Sequence, residues 1–122
     1  MKLLPSALVA AAFAFFLTSL SARADWHWSN DMAAVEATKE WYVARFSFAN
    51  SGADSVKVSD LKFSCSCVRY RFDSKPAGRD KDGALTIWIR REGKAATEPE
   101  FHVIAFGTAS ATPKELTIRV DP

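Results

Sequence analysis

Leu61-Lys62-Phe63-Ser64-Cys65-Ser66-Cys67-Val68-Arg69-Tyr70-Arg71-Phe72 is the stretch that decides how this chain folds. Before its centre the apolar residues take odd positions, Leu61 and Phe63; after it they take even ones, Val68, Tyr70 and Phe72. Strand side chains alternate with a period of two, so a change of phase demands an extra residue, a bulge or a turn. The irregularity falls on Ser64-Cys65-Ser66-Cys67, which holds both cysteines of the chain. Strand therefore runs into the pair and out of it, and a bulge is expected between.

Upstream, Tyr42, Ala44, Phe46 and Phe48 alternate with Val43, Arg45 and Ser47 over residues 42–49, the pattern of a half-buried strand. Asn50-Ser51-Gly52 closes it with turn chemistry. Val56 and Val58 mark a short strand whose phase Asp60 interrupts. The stretch from Asp31 to Glu40 favours helix by composition (Met32, Ala33, Ala34, Glu36, Ala37, Lys39 and Glu40). It is short, lacks an apolar stripe and feeds directly into a strand, so an edge strand or irregular segment is expected.

Downstream, Asp73 to Gly83 reads as a solvated loop, with Pro76, Gly78, Gly83 and charged side chains throughout. Residues 84–91 form the cleanest strand, Leu85, Ile87 and Ile89 on one face and Thr86, Trp88 and Arg90 on the other. Phe101 to Phe106 is apolar enough to be buried on both faces, and Leu116, Ile118 and Val120 close the pattern, with turns over 93–99 and 107–113. Seven or eight short strands separated by turn signals argue for an all-β, antiparallel sandwich.

The first 24 residues read as a secretory signal peptide. Lys2 precedes the apolar run Leu3 to Leu20, and Ala22-Arg23-Ala24 has the small-x-small form of a cleavage site. The alternative is an uncleaved membrane anchor, because the run approaches spanning length, although Pro5, Ser6, Thr18 and Ser19 interrupt it. Cleavage would leave residues 25–122 as one domain in the periplasm or secreted. Without Lys2 and Arg23 the chain carries as many basic as acidic side chains, which gives no electrostatic case for nucleic acid or an anionic membrane surface. Export would put both cysteines in an oxidising compartment.

Phe46-Ser47-Phe48-Ala49-Asn50-Ser51-Gly52, then Val56 and Val58, then Ser64-Cys65-Ser66-Cys67 resemble the F-x-F-x-N-x-G … S-C-G-C-T signature of the DUF1573 family of bacterial exported proteins. The resemblance runs from Trp41 to Val120. It implies an immunoglobulin-like sandwich similar to those of the ciliary ASH and major sperm protein groups, and it brings no assigned activity. Ser66 stands where the family has glycine, which makes a glycine-type backbone conformation costlier here. Val68 stands for the usual threonine, and the family's Pro-Gly-Glu loop is loosely echoed by Lys75-Pro76-Ala77-Gly78-Arg79.

Residues two apart in a regular strand have Cα atoms about 6.5–7 Å apart, the outer limit of disulfide geometry. A bulge would bring Cys65 and Cys67 within reach, as a bridge that is readily reduced and closes too small a loop to add much stability. A second reading is a thiolate pair for a soft metal, copper above all, with Arg69 and Arg71 on the Cys67 face favouring thiolate. A third is packing at a bulge with no chemistry. If cleavage follows Ala24, His27 becomes the third residue and could complete a square-planar nitrogen site for copper. His102 becomes a candidate ligand where it lies beside the cysteines.

Trp26, Trp28 and Trp41 are expected in the core or covering edges, and Trp88, opposite the apolar face of its strand, is the candidate contact for a partner. No triad, paired-carboxylate motif, phosphate loop or zinc-type spacing occurs, which argues against an enzyme. The expected function is an exported binding or structural module for a protein or cell-envelope component, without a cofactor. The competing reading is a copper-binding or thiol-redox protein using Cys65 and Cys67, with His27 or His102 as further ligands.

Overall fold

The computed structural model describes residues 24–36 and 38–121, so the expected signal peptide, apart from Ala24, lies outside the described residues. Eight strands follow in order: β1 Trp26–Trp28, β2 Met32–Val35, β3 Trp41–Asn50, β4 Val58–Phe63, β5 Tyr70–Lys75, β6 Lys81–Arg90, β7 Glu100–Gly107 and β8 Lys114–Val120. A 3₁₀ turn, Gly93–Ala96, leads from β6 towards β7.

The strands form two four-stranded sheets, ordered β1-β3-β6-β5 and β2-β8-β7-β4. This is the immunoglobulin arrangement: β1, β3, β6 and β5 take the places of A, B, E and D, and β4, β7 and β8 those of C, F and G. The short strand β2 adds to the second sheet by pairing with β8 in parallel. The expected antiparallel sandwich is what forms, with one parallel pairing at that edge. The expectation for Asp31 to Glu40 is met there, since β2 is an edge strand despite its helix-favouring residues.

Alternation positions the core. Tyr42, Ala44, Phe46 and Phe48 of β3 and Leu85, Ile87 and Ile89 of β6 are buried together with Leu61, Phe63, Phe101, Val103, Ala105, Leu116 and Ile118 of the other sheet. Each large side chain buried this way is worth about 1.5–3 kcal/mol. Trp26 closes one end, its indole N–H donating to the Thr112 carbonyl at 2.7 Å, while Trp28 packs on Phe48 with centroids 4.8 Å apart.

Two expectations are corrected by the sheets. Residues 73–83 are not all loop: β5 continues through Lys75 and β6 begins at Lys81, leaving 76–80 as the connection. Charge misled the reading because β5 is an edge strand, and edge strands carry outward charges such as Arg71, Asp73 and Lys75. Gly83 belongs to β6 because the Phe48 ring occupies the place of a side chain there; a Cβ would meet it at 2.5 Å. Likewise β7 is buried on one face only, through Phe101, Val103 and Ala105, while His102 is exposed and Ile104 and Phe106 are half-buried.

Asp60 does mark an irregularity, a register shift in the β4–β7 pairing between Val58 and Asp60. The larger phase change at Ser64 to Cys67 is not a bulge within one strand. Strand β4 lies in one sheet and β5 in the other, so the inward side reverses because the chain crosses the sandwich.

Candidate functional site

The crossover, residues 64–69, is pinned at both ends. The Ser64 N–H donates to the His102 carbonyl at 3.0 Å, and the Arg90 N–H donates to the Arg69 carbonyl at 2.9 Å. Tyr70 clamps the entry to the exit: its ring packs on Phe63 with centroids 4.6 Å apart, and its hydroxyl donates to the Leu61 carbonyl at 3.0 Å. Partial burial, with the Asp60 carboxylate nearby, raises the Tyr70 pKa above its ordinary value of 10.0.

Between these anchors the backbone turns and brings the Cys65 and Cys67 Cα atoms to 5.3 Å, with their sulfurs paired at 2.04 Å. The Cys67 N–H donates to Cys65 Sγ at 3.3 Å. Cys67 is exposed and Cys65 half-buried. A groove beside Cys67 is lined by Arg69, Glu92 and Lys94, with Arg69 paired to Glu92 at 3.3 Å. On the other side Lys94, Glu98 and Glu100 border both cysteines.

The residues proposed to serve the cysteines are distributed differently from expectation. Arg69 lines the Cys67 groove, but Arg71 turns to the outer face of its sheet and stacks on tryptophans. His27 lies on β1, at the opposite edge of its sheet from β5, three strand spacings or about 14 Å away. Its neighbours in the ladder are the bonds from Ser51 N–H to the Asp25 carbonyl and from Ser29 N–H to the Ser47 carbonyl. By antiparallel alternation the His27 amide opposite Ala49 is then spent in the ladder, whereas a square-planar amino-terminal site would need it. His102 does lie beside the crossover, its imidazole 3.3 Å from the Glu100 carboxylate. Among the described residues, no group of three or more histidine, cysteine, aspartate or glutamate side chains is placed to hold a metal.

A second cluster occupies the outer face of β3, β6 and β5. The registers set Trp41 opposite Arg90, and Arg71 opposite Trp88. The Arg71 guanidinium lies 4.7 Å from the Trp88 ring centre and 5.2 Å from that of Trp41, with Arg90 5.6 Å from Trp41. Arg90 is held by Glu40 at 3.6 Å and Glu92 at 3.5 Å. Trp88, expected as an exposed contact, is half-buried with a guanidinium across it. Alternation places Trp88 outward; the register that adds Trp41, Arg71 and Arg90 to it comes from pairing between strands distant in sequence.

Asn50, a turn former at the end of β3, is also the buried polar anchor of the domain, 1% exposed. Its amide nitrogen donates to the carbonyls of Asp54 and Ala77 at 2.7 and 3.1 Å. Its side-chain oxygen accepts from the N–H groups of Gly52 and Asp25 at 2.9 and 3.2 Å. One side chain thus ties the end of β3, the start of the domain and the β5–β6 connection.

The family described as "Protein of unknown function (DUF1573)" matches residues 27–121. No curated protein matches the chain. Among solved structures, a protein of unknown function from Porphyromonas gingivalis W83 is similar, with a TM-score of 0.57 and 12% identity over 81% of this chain and 47% of that one. The YadV chaperone crystal structure is similar with a TM-score of 0.51 and 13% identity, over 80% of this chain and 53% of that one. The chain spans about half the length of each, and what is shared at such identities is the fold.

Proposed function

From a chain that belongs to the DUF1573 family, proteins of unknown function, we propose an exported binding module rather than an enzyme, one that engages a protein or cell-envelope component through the outer face of β3, β6 and β5. The observation that carries this reading is the alternating stack of Arg90, Trp41, Arg71 and Trp88 on that face. Tryptophan and arginine are the residues most enriched where partners bind tightly, because they offer large apolar planes with a fixed polar fork. The stack holds these side chains in place before contact, which lowers the ordering cost of binding. Export is supported by the leader-like start of the sequence, and the family match begins at residue 27, beyond the expected cleavage after Ala24.

The test is a photo-crosslinking residue placed at Thr86, beside Trp88 on the outer face, or at Thr117, on the outer face of the other sheet, in intact cells that are then fractionated. The reading predicts a discrete adduct from Thr86 in the envelope or periplasmic fraction and none from Thr117. Equal adducts from both positions, or protein retained in the cytoplasm with its leader intact, would contradict it. Thiol chemistry is the second reading, favoured by the exposure of Cys67 in a crossover that belongs to neither sheet.

A further inference from the structure

The cysteine pair makes little structural contribution. It closes a loop of three residues, so it removes little entropy from the unfolded chain. It lies between β4 and β5 and outside both ladders. The crossover is already fixed by the Ser64–His102 and Arg69–Arg90 backbone bonds and by the Tyr70 clamp. A bridge placed this way can open and close without undoing the sandwich.

Its two sulfurs are also unequal. Cys67 is exposed, in a groove lined by Lys94 and by an Arg69 that Glu92 pairs at 3.3 Å, while Cys65 is half-buried and receives the Cys67 N–H at 3.3 Å. Exchange needs access to the sulfur attacked, and the exposed Cys67 offers it. A sulfur that already accepts a hydrogen bond from backbone is the better leaving thiolate, because the bond strengthens as charge develops on it.

We propose that Cys65–Cys67 is a thiol–disulfide exchange site for cysteinyl thiols, in which Cys67 is the sulfur attacked and Cys65 the one released. An incoming thiolate forms a new S–S bond to Cys67 Sγ. The Cys65–Cys67 bond breaks, and its electron pair leaves on Cys65 as a thiolate held by the Cys67 N–H. A second thiolate then attacks the incoming sulfur and releases Cys67, so that two thiols become one disulfide while the protein pair is reduced by two electrons. The reverse sequence oxidises the pair again.

The experiment uses the leaderless, air-oxidised protein in native buffer with limiting glutathione, quenched in acid and mapped by peptide mass spectrometry. A parallel reaction uses reduced thioredoxin whose resolving cysteine is replaced by serine. The expected result is a mixed disulfide on Cys67 in about tenfold or greater excess over Cys65, with the reduced protein keeping its circular dichroism spectrum. Adduct with glutathione identifies a free thiol as competent, and adduct with thioredoxin alone identifies a protein thiol as the required partner. Adducts on Cys65 in equal or greater amount would overturn the assignment. So would resistance to both thiols until denaturant is added, or unfolding on reduction. Because a mixed disulfide can migrate between the two sulfurs, the initial ratio is read at the earliest quench times.

Discussion

The guanidinium of Arg71 lies over the Trp88 ring, 4.7 Å from its centre, because the β5–β6 register sets the two residues directly opposite each other. Such a contact on a partly exposed face is worth about 0.5–1 kcal/mol. Arg71→Ala is therefore expected to lower stability by about that much and to shift tryptophan emission to longer wavelength as the Trp88 ring becomes wet. Arg71→Lys should restore only part of both effects, because an ammonium lacks the flat face that stacks. Denaturant midpoints and emission maxima of the two variants check this.

Asn50 makes a larger prediction. Its side chain serves four backbone groups around it at 2.7–3.2 Å, and each buried group left without a partner costs about 1–3 kcal/mol. Relaxation and water entry reduce the sum, so Asn50→Ala is expected to cost about 2–4 kcal/mol. Chemical denaturation measures it; a loss below about 0.5 kcal/mol, the range of ordinary surface changes, would remove Asn50 from its place as the anchor.

Tyr70 predicts an alkaline limit. Burial, aided by Asp60, raises its pKa in the folded state above the ordinary 10.0. The folded protein therefore holds the phenolic proton at pH values where the unfolded chain releases it. That stability is complete below pH 10 and is lost as pH rises through the folded-state pKa. Tyr70→Phe gives up the hydrogen bond to Leu61, a cost of about 0.5–1.5 kcal/mol at neutral pH. It should also flatten the fall in stability above pH 10, measured as thermal midpoints from pH 7 to 11.

The sandwich was legible because its inner faces obey a period of two: Phe46, Phe48, Leu85, Ile87, Ile89, Leu116 and Ile118 were all placed inward by alternation and are all buried. Edges were harder to read. Strand β5 carries charge because one of its sides faces water, so its second half resembled a loop, whereas at β2 only its shortness and its lead into β3 argue for an edge strand against the helix preference of Met32, Ala33 and Ala34. The phase change at the cysteines was visible, but alternation cannot distinguish a bulge from a crossing between sheets, since both reverse the inward side. The Asn50 hydrogen bonds and the Arg71–Trp88 stack depend on residues 25 or more and 17 positions apart, respectively, for their longer links, and no local pattern encodes such distances.

The central claim, that the outer face of β3, β6 and β5 is the binding surface, is tested most directly by the crosslink from Thr86 in a Trp88→Ala background. A residue that anchors an interface costs about 2 kcal/mol or more when truncated, which is about a 30-fold or greater loss of affinity. At a protein level below saturation the account predicts that the Thr86 adduct falls about 30-fold while the variant stays folded and at its normal location. An unchanged adduct in the folded Trp88→Ala protein would contradict it.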